Sequence, residues 1–163
     1  MKRYWIDASS VIWANREVFR LVDSPRYWDW FALRLKDGSV VTHKAVYEEI
    51  VKAATKDKPD PIALWIKTRK GTWCSYGCTD QSKVLLGDIS GHCIKKYGFE
   101  VAKKFLAGGD SLLIARAKVD EDGVVVTQES EHKDPRIPSI CDYFGVAHMP
   151  LNKMNIKLGM KWK

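Results

Sequence analysis

The stretch RYWIDASSVIWA, Arg3–Ala14, places a carboxylate directly behind a hydrophobic strand. Its aromatic and aliphatic residues predict a buried β-strand, and a helix is predicted to begin at about Ser9. Asp7 stands at the junction, where an aspartate caps a helix by accepting hydrogen bonds from free backbone N–H groups. In α/β proteins, reactive groups also lie at this position, the carboxyl end of a parallel strand. The stretch alone leaves both interpretations of Asp7 open.

Strands and helices alternate along the rest of the chain. Further strands are predicted at Ser39–His43, Val124–Thr127 and Val146–Met149, with helical patterns between them. The run Val124–Thr127 is uninterrupted and β-branched, which is typical of a buried parallel strand. This alternation predicts an α/β layered fold with a mostly parallel sheet.

Proline and glycine mark the predicted helix boundaries. Ser24 and Asp60 each precede a proline, the arrangement of an N-cap followed by proline at the first helical position. A helical pattern over residues 79–107 is interrupted at Gly98, and Asp110 opens the next helix. In the helix after Ser24, Tyr27, Phe31 and Leu35 share one face and are predicted to lie in the core or at a partner interface.

Length and charge narrow the class of protein. The chain has 163 residues and a formal net charge of +7. We expect one domain over residues 1–163, with a loosely held basic tail from about residue 152. No apolar run reaches the ~20 residues of a membrane span, and the start does not resemble a signal peptide. The sequence therefore predicts a cytoplasmic protein, and the excess of Lys and Arg favours a polyanionic partner such as nucleic acid.

Carboxylates gather at the predicted strand ends and early in the predicted helices. Such positions come together at one edge of a parallel sheet. A buried carboxylate is unfavourable unless it caps a helix, pairs with a cation or binds a metal. The carboxylates in question are Asp7, the pair Glu48 and Glu49, Asp110, and Glu129.

Two of these residues have simpler interpretations. Asp110 lies on the same helix face as the apolar Leu113, Ile114 and Ala117, which predicts an inward orientation, but an aspartate after two glycines is also a plain N-cap. Glu129 could be a solvated residue in a polar turn. Each residue taken alone leaves both interpretations open.

The order of the motifs resembles that of PIN-domain ribonucleases, in particular the single-domain toxins of type II toxin–antitoxin pairs. The similar segments are YWIDASSVIWA, VVTHKAVYEEI, GGDSLLIARAK and GVVVTQES. In the family, an aspartate ends the first strand, a glutamate precedes Leu or Ile in a later helix, and an aspartate opens a helix. A final acidic residue, usually Asp or Asn, follows a threonine by two positions. The matching residues here are Asp7, Glu49 before Ile50, Asp110, and Glu129 after Thr127.

The resemblance implies a three-layer α/β/α PIN-like domain that acts as a divalent-metal-dependent endoribonuclease. Asp7, Glu49 and Asp110 would hold Mg²⁺ or Mn²⁺, ions that prefer oxygen ligands. Glu129, one methylene longer than the usual residue, would orient water or hold a second ion. Such an ion activates a bound water and offsets charge on the reacting phosphate. Ser9 and Thr127 would donate to a carboxylate or to a phosphate.

The resemblance also implies partners. An antitoxin peptide would cover the acidic groove, and a homodimer is common in the family. Two other functions stay open: a PIN-like RNA-binding module without catalysis, and a structure-specific DNA nuclease on the same fold.

Helix periodicity separates Glu48 from Glu49. With about 100° per residue, Val46 and Ile50 define an apolar stripe that continues to Ala53 and Ala54. Glu49 lies beside this stripe and Glu48 points nearly opposite, into solvent. Periodicity and the family motif therefore both favour Glu49.

Three cysteines and one histidine raise the question of a zinc site: Cys74, Cys78, His92 and Cys93. Their spacing fits no familiar structural zinc site, and we expect buried thiols instead. We expect all four cysteines, Cys141 included, to be reduced.

Overall fold

A parallel sheet runs through the middle of the protein. The computed structural model describes residues 2–52, 60–69, 73, 75–132 and 134–161. Within them, five strands pair in the order β3-β2-β1-β4-β5, all parallel, and helices flank the sheet. The predicted α/β/α fold class and the parallel sheet are confirmed. The strands are β1 (Arg3–Ile6), β2 (Val40–His43), β3 (Ser75–Tyr76), β4 (Gly123–Val126) and β5 (Ala147–Met149).

Most of the helices begin close to the predicted positions. No helix of the described residues is both long and apolar enough to cross a bilayer. The helices are α1 (Ala8–Trp13), α2 (Pro25–Lys36), α3 (Lys44–Lys52), α4 (Pro61–Lys67), α5 (Asp80–Tyr97), α6 (Phe99–Leu106), α7 (Asp110–Val119), α8 (Ile137–Phe144) and α9 (Leu151–Lys157), and a π-helical turn, Ala14–Val18, follows α1.

At the centre of the sheet, two strands that are far apart in sequence lie side by side. β1 pairs with β4 along its whole length, from Arg3 opposite Gly123 to Ile6 opposite Val126. The next residue of each strand, Asp7 and Thr127, therefore lies at the same level of the carboxyl edge. This register builds the edge on which the acidic residues converge.

The core follows the predicted pattern. Tyr27, Phe31 and Leu35 are buried, as predicted for one face of α2. On α7, Leu113 and Ile114 are fully buried against the sheet. The break at Gly98 is also confirmed, because this glycine separates α5 from α6 with a φ of 83°, which strains any other residue.

The predicted loosely held tail from about residue 152 is wrong. Its first part forms α9, in which Leu151 and Met154 belong to the core. Asn155 is buried as well, and its Nδ2 lies 3.5 Å from the Tyr27 hydroxyl. The lysines interleaved with these residues concealed the i, i+3 apolar spacing of a short helix.

Other sequence predictions have mixed outcomes. Asp60 caps α4 by accepting from the Ile62 N–H, but Ser24 makes no side-chain cap bond. The strand β3 was not predicted, since two residues give no alternation to detect. The predicted helical positions Ala53 and Ala54 lie outside the described residues.

Candidate active site

Asp7 fills the role of a helix cap at the edge of the sheet. Its Oδ1 accepts from the Ser10 N–H, and its Oδ2 accepts from the Ser9 and Thr127 hydroxyls, each at 2.7 Å. The residue is only 1% exposed. Burial raises the pKa of Asp7, and these hydrogen bonds oppose the rise. The helix-cap interpretation of Asp7 is therefore confirmed, and Asp7 also lies at the carboxyl end of β1, where its role in a reactive site stays a prediction.

Glu49 connects α3 to the start of α7. Its Oε1 accepts from the Gly109 N–H at 2.7 Å. A Cβ at Gly109 would lie 2.7 Å from Val46 Cγ2 and 3.1 Å from the Val46 backbone nitrogen. Only glycine fits at this approach, which explains the second glycine of GGD. The contact brings the Glu49 carboxylate beside Asp110, the first residue of α7.

Glu48 behaves as the periodicity of α3 predicts. Its side chain is 57% exposed and forms an ion pair with Lys44 at 3.9 Å. Glu49, one residue later, points to Gly109 instead. The predicted difference in orientation between the two glutamates is therefore present in the structure.

Asp110 is the carboxyl group whose pKa the other three carboxylates raise. It lies at the first position of α7, one residue after the N-cap position at Gly109. Burial, followed by the negative charges of Asp7, Glu129 and Glu49, raises its pKa from 3.8 to about 7. The Arg136 guanidinium opposes this rise, and the value of about 7 includes its effect. We call Asp7, Glu49, Asp110 and Glu129 the acidic site.

Glu129 is held by the start of α8. Its Oε1 accepts from Arg136 Nη1 at 3.1 Å, and its Oε2 accepts from the Ile137 N–H at 3.0 Å. Its own N–H donates to Thr127 Oγ1, the hydroxyl that donates to Asp7. The solvated-turn interpretation of Glu129 is therefore wrong, because its side chain is 19% exposed and paired.

Arg136 is the site residue that the sequence analysis missed. Its guanidinium is 43% exposed, touches Glu129 and lies close enough to Asp110 to lower the pKa of that residue. An isolated arginine before a helix belongs to no recognisable sequence motif, so nothing in the sequence indicated its role. Its role depends on the path of the loop between β4 and α8, which brings residue 136 back to residue 129.

Two clefts meet at Glu129. One has a volume of about 270 Å³, and we call it the basic cleft after Lys104 and Arg136, although three carboxylates also line it; its lining residues are Val101, Lys104, Phe105, Asp110, Glu129, Asp134, Pro135 and Arg136. The other has a volume of about 310 Å³, and we call it the side groove; it is lined by Thr127, Gln128, Glu129, Glu131, Pro138, His148, Met149 and Pro150.

The acidic site suits a hard cation by chemistry. It offers carboxylate oxygens, and the negative charges of three carboxylates, added to the effect of burial, raise the pKa of Asp110; a cation would balance those charges. Among the described residues, no three His, Cys, Asp or Glu side chains already lie close enough to hold an ion. Glu49 and Glu129 use oxygens in hydrogen bonds, so binding an ion would require these side chains to turn.

The cysteines lie in unrelated surroundings. Cys93 and Cys141 are free and buried, which confirms the prediction for them. Cys78 is exposed, contrary to the prediction, with its Sγ 3.5 Å from His43 Nε2. The ring of His92 stacks on Tyr143 with 3.6 Å between centroids. Cys74 lies outside the described residues.

Comparison with known proteins gives a match to a protein family. A family model described as "Domain of unknown function (DUF4411)" matches residues 4–162, nearly the whole chain. A search of the curated proteins found no significant match.

Proposed function

The chain belongs to the DUF4411 family, and we propose that it is a PIN-like endoribonuclease that depends on Mg²⁺ or Mn²⁺. The observation that carries the proposal is the convergence of Asp7, Glu49 and Glu129 on Asp110, whose pKa they raise. Perturbed carboxylates in a cleft are typical of functional sites. The net charge of +7 supports a nucleic-acid substrate, because the acidic site is set in a basic protein.

Each residue of the acidic site has a role in this proposal. Asp7, Glu49 and Asp110 would hold the divalent ion, and Glu129 would orient a water or hold a second ion. The ion, when bound, lowers the pKa of a coordinated water and offsets charge on the phosphate. The Thr127 and Ser9 hydroxyls fix the direction of the Asp7 carboxylate through the two bonds to its Oδ2.

Cations at the rim would bind the RNA backbone. Lys104 and Arg136 both line the basic cleft beside Asp110. Arg136 is half-exposed and can donate from the face of its guanidinium that Glu129 does not use. A phosphate in this cleft would be next to the carboxylates that hold the ion.

The similarity to toxin motifs extends the proposal to the biological context. We expect a cytoplasmic protein with an antitoxin partner whose peptide covers the acidic site, and possible pairing of two copies. Expression without the antitoxin should then slow growth. Growth unaffected by a protein with measured nuclease activity would contradict the toxin assignment and leave the nuclease assignment.

The experiment compares cleavage by matched variants. Purified protein is incubated with a single-stranded RNA and with a DNA of the same sequence, in Mn²⁺ or in EDTA. We expect RNA cleavage in Mn²⁺ alone, its loss in Asp110→Asn, and its retention in Asp88→Asn, which alters an exposed aspartate of α5. Full activity of Asp110→Asn at saturating Mn²⁺ would contradict the metal-site proposal, and preferential DNA cleavage would favour a DNA nuclease.

A second candidate is an RNA-binding module without catalysis. It is favoured by Glu129, both of whose carboxylate oxygens accept hydrogen bonds from Arg136 and Ile137. Titration calorimetry with Mn²⁺ distinguishes the two candidates. Mn²⁺ binding that Asp110→Asn abolishes supports the enzyme, whereas RNA binding without any Mn²⁺ binding supports the module.

A further inference from the structure

The side groove lies next to the acidic site but differs from the basic cleft in having no lysine or arginine among the lining residues that the structure describes. Glu129 borders both, so the two are neighbours along one surface. The basic cleft has Lys104 and Arg136 on its walls, together with three carboxylates. The side groove has Glu129 and Glu131 among its lining residues. A phosphate can therefore pair with a lysine or arginine in the basic cleft, whereas the described walls of the side groove offer it neither.

The walls of the side groove suit a flat, neutral group. Pro138, Met149 and Pro150 give it apolar surface. Its volume of about 310 Å³ is at the small end of ligand pockets. Nucleobases have the required properties, since they are flat and uncharged and pack well on apolar side chains.

Gln128 gives the side groove a polar group of defined orientation. Its Oε1 accepts from the Leu151 N–H at 2.9 Å. A backbone N–H can only donate, so the oxygen must face Leu151, and the Nε2 amide group is the end that can donate to a bound molecule. Glutamine donors of this kind read carbonyl oxygens and ring nitrogens on base edges.

We propose that the side groove binds one nucleobase of a single-stranded RNA whose neighbouring phosphate lies in the basic cleft. Gln128 Nε2 donates to an acceptor on the edge of this base, and Met149 packs against its face. The inference rests on the proposed function for the identity of the nucleic acid. It adds a base-reading position to a site that otherwise contacts only phosphate.

The test uses RNA in which a single nucleotide lacks its base. A set of fluorescent oligoribonucleotides carries the abasic nucleotide at each position in turn. Binding is measured by anisotropy in EDTA, so that cleavage does not interfere. For the unaltered protein we expect one position at which base removal weakens binding by about tenfold, the size typical of one stacked and hydrogen-bonded base.

Two variants assign the effect to the groove. Gln128→Met keeps the length of the side chain and removes its donor, and it should reduce the abasic effect at that one position. Gln81→Met changes an exposed glutamine of α5 that is absent from the walls of both clefts, and it should keep the effect. Thermal unfolding of both variants checks that they are folded. Should Gln128→Met unfold, Met149→Ala takes its place, with the same expected loss.

The outcomes separate this inference from the proposed function. Cleavage with equal affinity for every abasic oligoribonucleotide would overturn the base-binding groove and leave the nuclease standing. A position-dependent abasic effect without any cleavage in Mn²⁺ would support the groove and contradict the enzyme. An abasic effect that is the same in Gln128→Met and Met149→Ala as in the unaltered protein would overturn the groove.

Discussion

Asp110 carries its negative charge at a cost to the fold. Its pKa in the folded protein is about 7, against 3.8 as the ordinary value. The folded state therefore binds a proton more tightly than the unfolded state. This difference makes the contribution of Asp110 to stability fall as the pH rises from about 4 to about 7.

Asp110→Asn should consequently stabilise the protein at high pH. Above pH 7 the variant lacks the unfavourable charge, and we expect a gain of about 1–2 kcal/mol after allowing for solvent screening. Urea unfolding of the variant and the unaltered protein at pH 5 and pH 8 measures this gain. The gain should be larger at pH 8, and an equal gain at both values would contradict the raised pKa.

Glu49 and Glu48 form a matched pair of neighbours with different surroundings. Glu49→Gln keeps an oxygen for the Gly109 N–H, so the fold should persist, but the negative charge beside Asp110 is lost. We expect Mn²⁺ affinity and RNA cleavage to fall by at least about tenfold, the scale of losing a charged ligand. Glu48→Gln alters an exposed ion pair and should change both by less than about twofold. Inactivity of Glu48→Gln with an active Glu49→Gln would show that the assignment of the ligand is wrong.

At the scale of elements, the contact between α3 and α7 depends on one glycine. A Cβ at Gly109 would lie within 3.1 Å of two Val46 atoms, whereas a Cβ at Gly108 would meet nothing closer than 3.7 Å. The two glycines are adjacent in sequence but differ in packing. Because Glu49 reaches Gly109 across this contact, any separation of the helices also displaces a carboxylate of the acidic site.

Gly109→Ala should therefore reduce both stability and activity. We expect a loss of about 1–3 kcal/mol, the usual cost of overpacking, together with weaker Mn²⁺ binding. Gly108→Ala is the control and should unfold at nearly the same urea concentration as the unaltered protein. Equal effects of the two substitutions would show that α3 does not approach α7 as closely as the structure has it.

Local sequence patterns predicted most of the elements but not their closest contacts. The strand β1, the break at Gly98 and the cap at Asp60 each depend on neighbours in sequence, so they were predictable. The interaction of Glu129 with Arg136 was not, because it depends on how a loop returns. The helix α9 was missed because lysines interrupt its apolar face.

The sequence predicted which residues form the acidic site, but it did not predict how their side chains are arranged. Position at strand ends and helix starts selected Asp7 and Asp110, and helix periodicity selected Glu49 over Glu48. The hydrogen bonds that occupy Glu49 and Glu129 come from backbone N–H groups and from Arg136, which leave no pattern in sequence. The ligand roles of these residues stay predictions.

For the whole molecule, the excess of positive charge should govern affinity for RNA. With a net charge of +7, binding releases counterions from phosphates, so log affinity should fall linearly with log salt. Anisotropy titrations between ~50 and ~200 mM KCl give the slope. Lys104→Gln should reduce the slope by about 0.7, one phosphate contact to single-stranded RNA. Lys2→Gln, at the opposite end of β1 from Asp7, should leave the slope unchanged. A flat response to salt would mean that the charge has no role in binding.

The pairing of β1 with β4 also has a consequence for synthesis of the protein. Thr127 donates to Asp7 across 120 residues of chain, and β4 is a neighbour of the very first strand. During translation β1 emerges well before β4 and stays unpaired on that side until β4 follows, because contacts of long sequence separation form late. The carboxylates cannot assemble until that strand has emerged. A nascent chain that stops short of Glu129 therefore lacks the acidic site.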